Sequence, residues 1–76
     1  MKRTIRELEK IAEVYAIARR RERRSIEFYR QAAAEVEGEA EKKLLSELAD
    51  MEEAHFQQMQ SWYDEAVAKL RKLRER

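Results

Sequence analysis

One glycine and no proline in 76 residues leave this chain a single place to turn. Proline breaks a helix interior and glycine weakens it by about 1 kcal/mol, so the sequence on either side of Gly38 is free to run as one long helix. Glu37-Gly38-Glu39 reads as a tight helix–helix turn. Helix 1 is predicted over about 4–36, the turn over 37–39 and helix 2 over about 39–73, so that residues 1–76 make a single two-helix domain. Thr4 stands where it can cap helix 1, with Glu7 completing a capping box. Arg71, Lys72 and Arg74 suit the negative end of the second helix dipole. The first residues and the last two or three are expected to fray.

Both segments carry an apolar seam at heptad spacing. In helix 1 it passes through Leu8, Ile11, Tyr15, Ala18, Glu22, Ser25, Tyr29, Ala32 and Val36. In helix 2 it passes through Leu45, Leu48, Glu52, His55, Met59, Trp62, Ala66 and Leu73. Each seam is interrupted near its middle by a carboxylate. An unpaired carboxylate costs several kcal/mol to bury unless it is neutralised, so Glu22 and Glu52 demand a partner. Glu22 lies sixteen residues before Gly38 and Glu52 fourteen after it. At about 1.5 Å per residue, both sit roughly 21–24 Å from the turn. They therefore face each other across the hairpin, and His55, three residues beyond Glu52, shares its face.

Glu-x-x-His facing a glutamate on a neighbouring helix is a metal-binding pattern. About one residue in five here is Glu, so the motif alone says little. Its weight comes from His55 being the sole histidine, from its place on the seam and from the matching depth of Glu22. The competing reading is a buried polar layer that sets coiled-coil register. A hairpin of this size cannot cover both apolar faces of its helices, so a homodimer or a larger even-numbered homo-oligomer is expected. A two-fold axis at the level of Glu22 would gather four carboxylates and two imidazoles, whose charge two divalent cations balance.

Other features divide between chemistry and packing. Tyr29, seven residues past Glu22, reads equally as a hydroxyl that hydrogen-bonds a ligand carboxylate of the facing chain and as plain core. Tyr15, Met51, Met59 and Trp62 read as packing. Arg19-Arg20-Arg21-Glu22-Arg23-Arg24 reads first as a solvated face, ion-paired to Glu27, Glu47, Asp50 or Glu53. An oligomer contact or an anion site is the alternative. The absence of cysteine excludes disulfides and thiolate-held metals. No run approaches the roughly 20 apolar residues that span a membrane, and no signal-peptide core is seen. A net charge of +1 gives no overall pull on nucleic acid. Neither nucleic acid nor membrane is expected as a partner.

The set Glu22-Arg-Arg-Ser-Ile-Glu-Phe-Tyr29, Glu52-Glu-Ala-His55 and Trp62 resembles the ferritin-like superfamily of carboxylate-bridged diiron proteins, over about residues 12–66. The likeness is greatest to its two-helix type, the encapsulated ferritins, and more distant to one half of rubrerythrin. It implies an all-α helical hairpin that dimerises into a ferritin-like four-helix bundle. It implies two iron ions per dimer, with manganese or zinc as substitutes, held by Glu22, Glu52 and His55 of each chain. Glu52 and its mate would bridge the metals. The implied activity is that of a ferroxidase-like oxidoreductase, oxidising Fe(II) with dioxygen or peroxide in iron storage or oxidant defence. Such a protein would be cytoplasmic, free or within a protein shell. Two other functions fit the same residues: a metal-stabilised dimeric assembly module without turnover, and a metal-free coiled-coil adaptor. Arg21 and Arg24 stand where encapsulated ferritins carry acidic residues, which puts that route of iron entry in doubt. Ser25 stands where rubrerythrin has a further carboxylate, and no cysteine cluster is there to supply electrons.

Overall fold

A computed structural model describes residues 3–75. Met1, Lys2 and Arg76, where fraying is expected, lie outside the described residues. Two helices make up the described chain, α1 (Ile5–Glu35) and α2 (Glu39–Arg74), packed as an antiparallel hairpin of 57 × 17 × 16 Å. Thr4 caps α1, its hydroxyl accepting from the Glu7 N–H at 3.1 Å. That is half of a capping box, because the Glu7 side chain makes no return bond among the described residues.

Gly38 does not work as a left-handed stop after α1. Its φ of −71° and ψ of 129° are extended backbone open to any residue, and it serves as the N-cap of α2. A Cβ there would meet only the end of the exposed Glu41 side chain, at 2.6 Å, which is free to swing aside.

The packed core sits at the open end of the hairpin, away from the turn. Leu8 and Ala12 of α1 meet Ala66 and Leu70 of α2, with Tyr63 and Leu73 against them. Ala49 is fully buried farther toward the turn. Alanine at these points lets the backbones approach closely, at the expense of apolar area.

The seam of α2 differs from the one read in sequence. Ala49, Phe56, Tyr63 and Leu70 turn toward α1, whereas His55 and Trp62 are exposed. The expectation that Glu22, Glu52 and His55 are all buried is corrected accordingly: the two glutamates are half-buried and His55 is open. The reason is geometric. Two helices meet along one line, so side chains displaced to one side of it, His55 and Trp62 on the seam and others flanking the seam, face outward. The outward row is apolar. Val14, Ile17, Phe28, Leu44, Met51 and Trp62 are all exposed. The accessible surface is 6244 Å², against about 4,900 Å² for a compact monomer of this mass.

Candidate metal centre

Glu22 reaches the site from the middle of α1, and Glu52 and His55 from one turn of α2. Their potential ligand atoms, a carboxylate oxygen from each glutamate and an imidazole nitrogen, all lie within 4.8 Å of one another. Two donors on opposite sides of an ion at about 2.1 Å are about 4.2 Å apart. Small side-chain rotations therefore close the set around a metal. The neighbouring Glu53 takes no part: it reaches toward Arg30 at 3.9 Å on the other side of α2.

Within this cluster the Glu22 carboxylate is poorly served. Its Oε2 is buried and has no hydrogen-bond partner. The nearest candidate, His55 Nδ1, is 3.8 Å away, beyond hydrogen-bond range. A buried acceptor left unmatched costs about 1–3 kcal/mol, and more when charged. The donor set fits a divalent cation, and the orphaned oxygen is the atom that a cation would satisfy. Mixed carboxylate and imidazole ligands suit iron, manganese or zinc.

The layer is closed on one side and open on another. Tyr15 and Trp62, each seven residues from a ligand toward the chain ends, stack with ring centroids 5.6 Å apart. The His55 side chain is 56 % exposed against 22 % for Glu22, so the imidazole marks the open side. Ser25 is half-buried one turn past Glu22 and offers no carboxylate. Tyr29 is half-buried beside Phe28, their centroids 5.7 Å apart. Its hydroxyl makes no hydrogen bond to Glu22, Glu52 or His55 among the described residues. Any such bond would have to come from a facing chain.

The arginine run is solvated as read in sequence, with Arg20, Arg21, Arg23 and Arg24 all exposed, but among the described residues none of its five arginines is ion-paired. Asp50 and Glu53 are taken by Arg30, at 3.0 and 3.9 Å. Arg19 instead lies over the Tyr63 ring at 4.1 Å and donates to Gln60 Oε1 at 2.8 Å, while Arg23 lies over Phe56 at 4.7 Å. The sequence signal was available: from Ala54 to Tyr63, helix 2 has no Asp or Glu to offer, and its rings and glutamines stand in their place.

Comparison with protein families matches residues 1–63 of the chain to the family model described as Rubrerythrin. No curated protein and no solved structure matches the chain. Among the described residues, no helix is long and apolar enough to cross a membrane.

Proposed function

Because the chain belongs to the rubrerythrin family, within the ferritin-like diiron superfamily, we propose that two copies of this hairpin hold a dinuclear iron centre that oxidises Fe(II). The observation that carries this reading is the buried, unpartnered Glu22 Oε2 set beside Glu52 and His55. One hairpin offers three ligands, too few for two ions. A second copy doubles the set to four carboxylates and two imidazoles and balances two divalent charges. The surface in excess of a compact monomer, about 1,300 Å², is ample for an interface that typically buries about 800 Å² per partner.

The residues divide the work. Glu22 and Glu52 supply the negative charge that favours a divalent cation over solvent. His55 supplies a neutral nitrogen donor on the side that the second copy would cover. Tyr15 and Trp62 exclude water on the side of the chain ends. Two iron ions, when bound, supply one electron each to dioxygen or peroxide. Simple iron oxidation fits better than a peroxidase cycle fed by an internal electron donor, since no cysteine-held centre exists in the chain. We read the hairpin as resembling the two-helix type of encapsulated ferritins, on the strength of Glu22, Tyr29, Glu52, His55 and Trp62.

The test is anaerobic Fe(II) titration followed by air, watched by optical absorbance. One ion per chain is expected, followed by oxidation on exposure to air. Glu22→Ala, Glu52→Ala and His55→Ala should each lose metal, Glu52→Ala most completely. Wild-type stoichiometry in all three variants would sink the assignment. Binding without oxygen uptake would leave a metal-stabilised dimer.

A further inference from the structure

Five guanidinium groups in six residues of α1 have no carboxylate to answer them. We propose that the groove between Arg19, Arg20 and Arg23 of α1 and Phe56 and Gln60 of α2 binds a phosphate-class oxyanion. Among the described residues, none of Arg19, Arg20, Arg21, Arg23 and Arg24 belongs to an ion pair. Arg30, two turns on from Arg23, shows what an arginine of this helix does when carboxylates are in reach: it takes Asp50 and Glu53. Opposite the run, α2 offers Phe56 and Gln60 instead.

The donors are already oriented. Arg19 is fixed by Gln60 and by the Tyr63 ring, and Gln60 is held in turn by donating to Asp64 Oδ1 at 3.0 Å. Arg23 is fixed over Phe56. Stacking uses the flat face of a guanidinium and leaves its N–H edge free to donate in plane. Arg20 is exposed at the mouth of the same groove, which encloses about 470 Å³. A lone carboxylate would occupy one such fork. A phosphate group, with three or four acceptor oxygens and close to two charges, answers several at once. The volume is that of about fifteen waters at ~30 Å³ each, so a phosphoester fits as well as free phosphate. A nucleic-acid track is disfavoured, because the cations span only about 9 Å along the helix. Arg19 and Arg23 lie over Tyr63 and Phe56, neither of which belongs to the proposed ligand set, so a phosphate response does not depend on the metal reading.

The experiment titrates the full chain, first stripped of metal with a chelator and then zinc-loaded, with inorganic phosphate and separately with adenosine monophosphate. Arginine Nε and Gln60 carboxamide signals are followed by nitrogen-15 NMR, with chloride at matched ionic strength as control. Saturable shifts confined to Arg19, Arg20, Arg23 and Gln60 are expected. Arg20→Gln with Arg23→Gln should weaken binding by about tenfold or more with helix content unchanged. Arg20→Lys with Arg23→Lys, which keeps the charge but loses the fork, should fall between. Tighter binding of the nucleotide identifies a phosphoester as the source, and equal or weaker binding identifies free phosphate. Shifts that chloride reproduces, or an unchanged affinity in the glutamine variant, overturn the proposal. So does a phosphate-insensitive spectrum with a sedimentation mass that falls with salt, which would assign the arginines to a second copy.

Discussion

The face of the hairpin that carries Arg19, Arg23 and Arg30 is closed by contacts between its own two helices, whereas the face that carries His55 and Met51 keeps a set of exposed apolar side chains beyond the Tyr15–Trp62 stack. On the closed face each long cation crosses the cleft to a ring, an amide or a carboxylate. The aliphatic stems cover apolar surface while the charged heads stay wet. On the open face helical spacing places Val14, Phe28, Leu44, Met51 and Trp62 in rows beside the three ligands, and all five are exposed. Water is a poor neighbour for that face, since apolar burial is worth about 25 cal/mol per Å². The same two helices thus finish one surface alone and leave the other for a partner, and the incomplete metal cluster lies on the unfinished one.

The sharpest way to break this comparison is to charge the open face at apolar residues that are not themselves ligands. Phe28→Glu combined with Met51→Glu should abolish self-association and, with it, metal loading. Gln57→Glu, on the solvent side of α2, should change neither. Sedimentation at micromolar concentration together with metal content per chain reads the result. A double variant that keeps both dimer mass and one ion per chain would show that the open face is not the interface.

Leu70→Ala probes the core that both faces share. Leu70 is 5 % exposed and packs with Leu8, Ala12 and Ala66. Truncating a buried leucine costs about 2–5 kcal/mol, and each kcal/mol lowers the melting midpoint of a domain this small by roughly 4–8 °C. The loss should be equal in metal-free and metal-loaded protein, because the cluster is remote from the ligands. A loss that vanishes on metal loading would tie the open end to the centre.

Metal and pH sharpen the comparison further. Binding requires deprotonated carboxylates and a neutral imidazole, so protons compete with the metal. Imidazoles as a class change charge between about pH 5 and 8. The sign follows: metal-derived stability is largest at the alkaline end and is lost as pH falls through that window. Thermal melts from about pH 5 to 8, with and without zinc, should show an increment that grows with pH in the wild type and is absent in Glu52→Ala. A metal increment independent of pH would mean that His55 is not a ligand.

Much of this was legible in the sequence, for identifiable reasons. The absence of proline and the lone Gly38 dictated two helices and the place of the turn. Counting residues from Gly38 put Glu22 and Glu52 at one depth, since helical rise is nearly constant, and the structure brings them and His55 together. Heptad reading placed the α1 seam and most of the α2 seam inward, but it missed Ala49, Phe56, Tyr63 and Leu70 and misplaced two α2 residues. It takes no account of there being one partner helix rather than three, so it buried His55 and Trp62, which a lone hairpin leaves open. It also offered the arginines Glu27 along α1 and Glu47, Asp50 and Glu53 across the hairpin without a way to choose among them. The cross-helix register, which hands Asp50 and Glu53 to Arg30, cannot be read from spacing alone.

The smallest expected effect belongs to the closed face. Arg23→Gln removes the guanidinium from Phe56, a contact worth about 0.5–1 kcal/mol at an exposed site. Chemical denaturation should therefore register a loss of that size, with dimer mass and metal content unchanged. A double-mutant cycle with Phe56→Leu isolates the pair and should return a coupling of similar size. Salt separates it from an ordinary ion pair. Arg30 with Asp50 and Glu53 is exposed, so raising ionic strength should erode its contribution. The stacked Arg23 draws on dispersion and a close-range quadrupole, so its coupling should persist at about 1 M salt. If the coupling to Phe56 disappears with salt, or if Arg23→Gln releases the dimer, the two faces are not independent and the division drawn here fails.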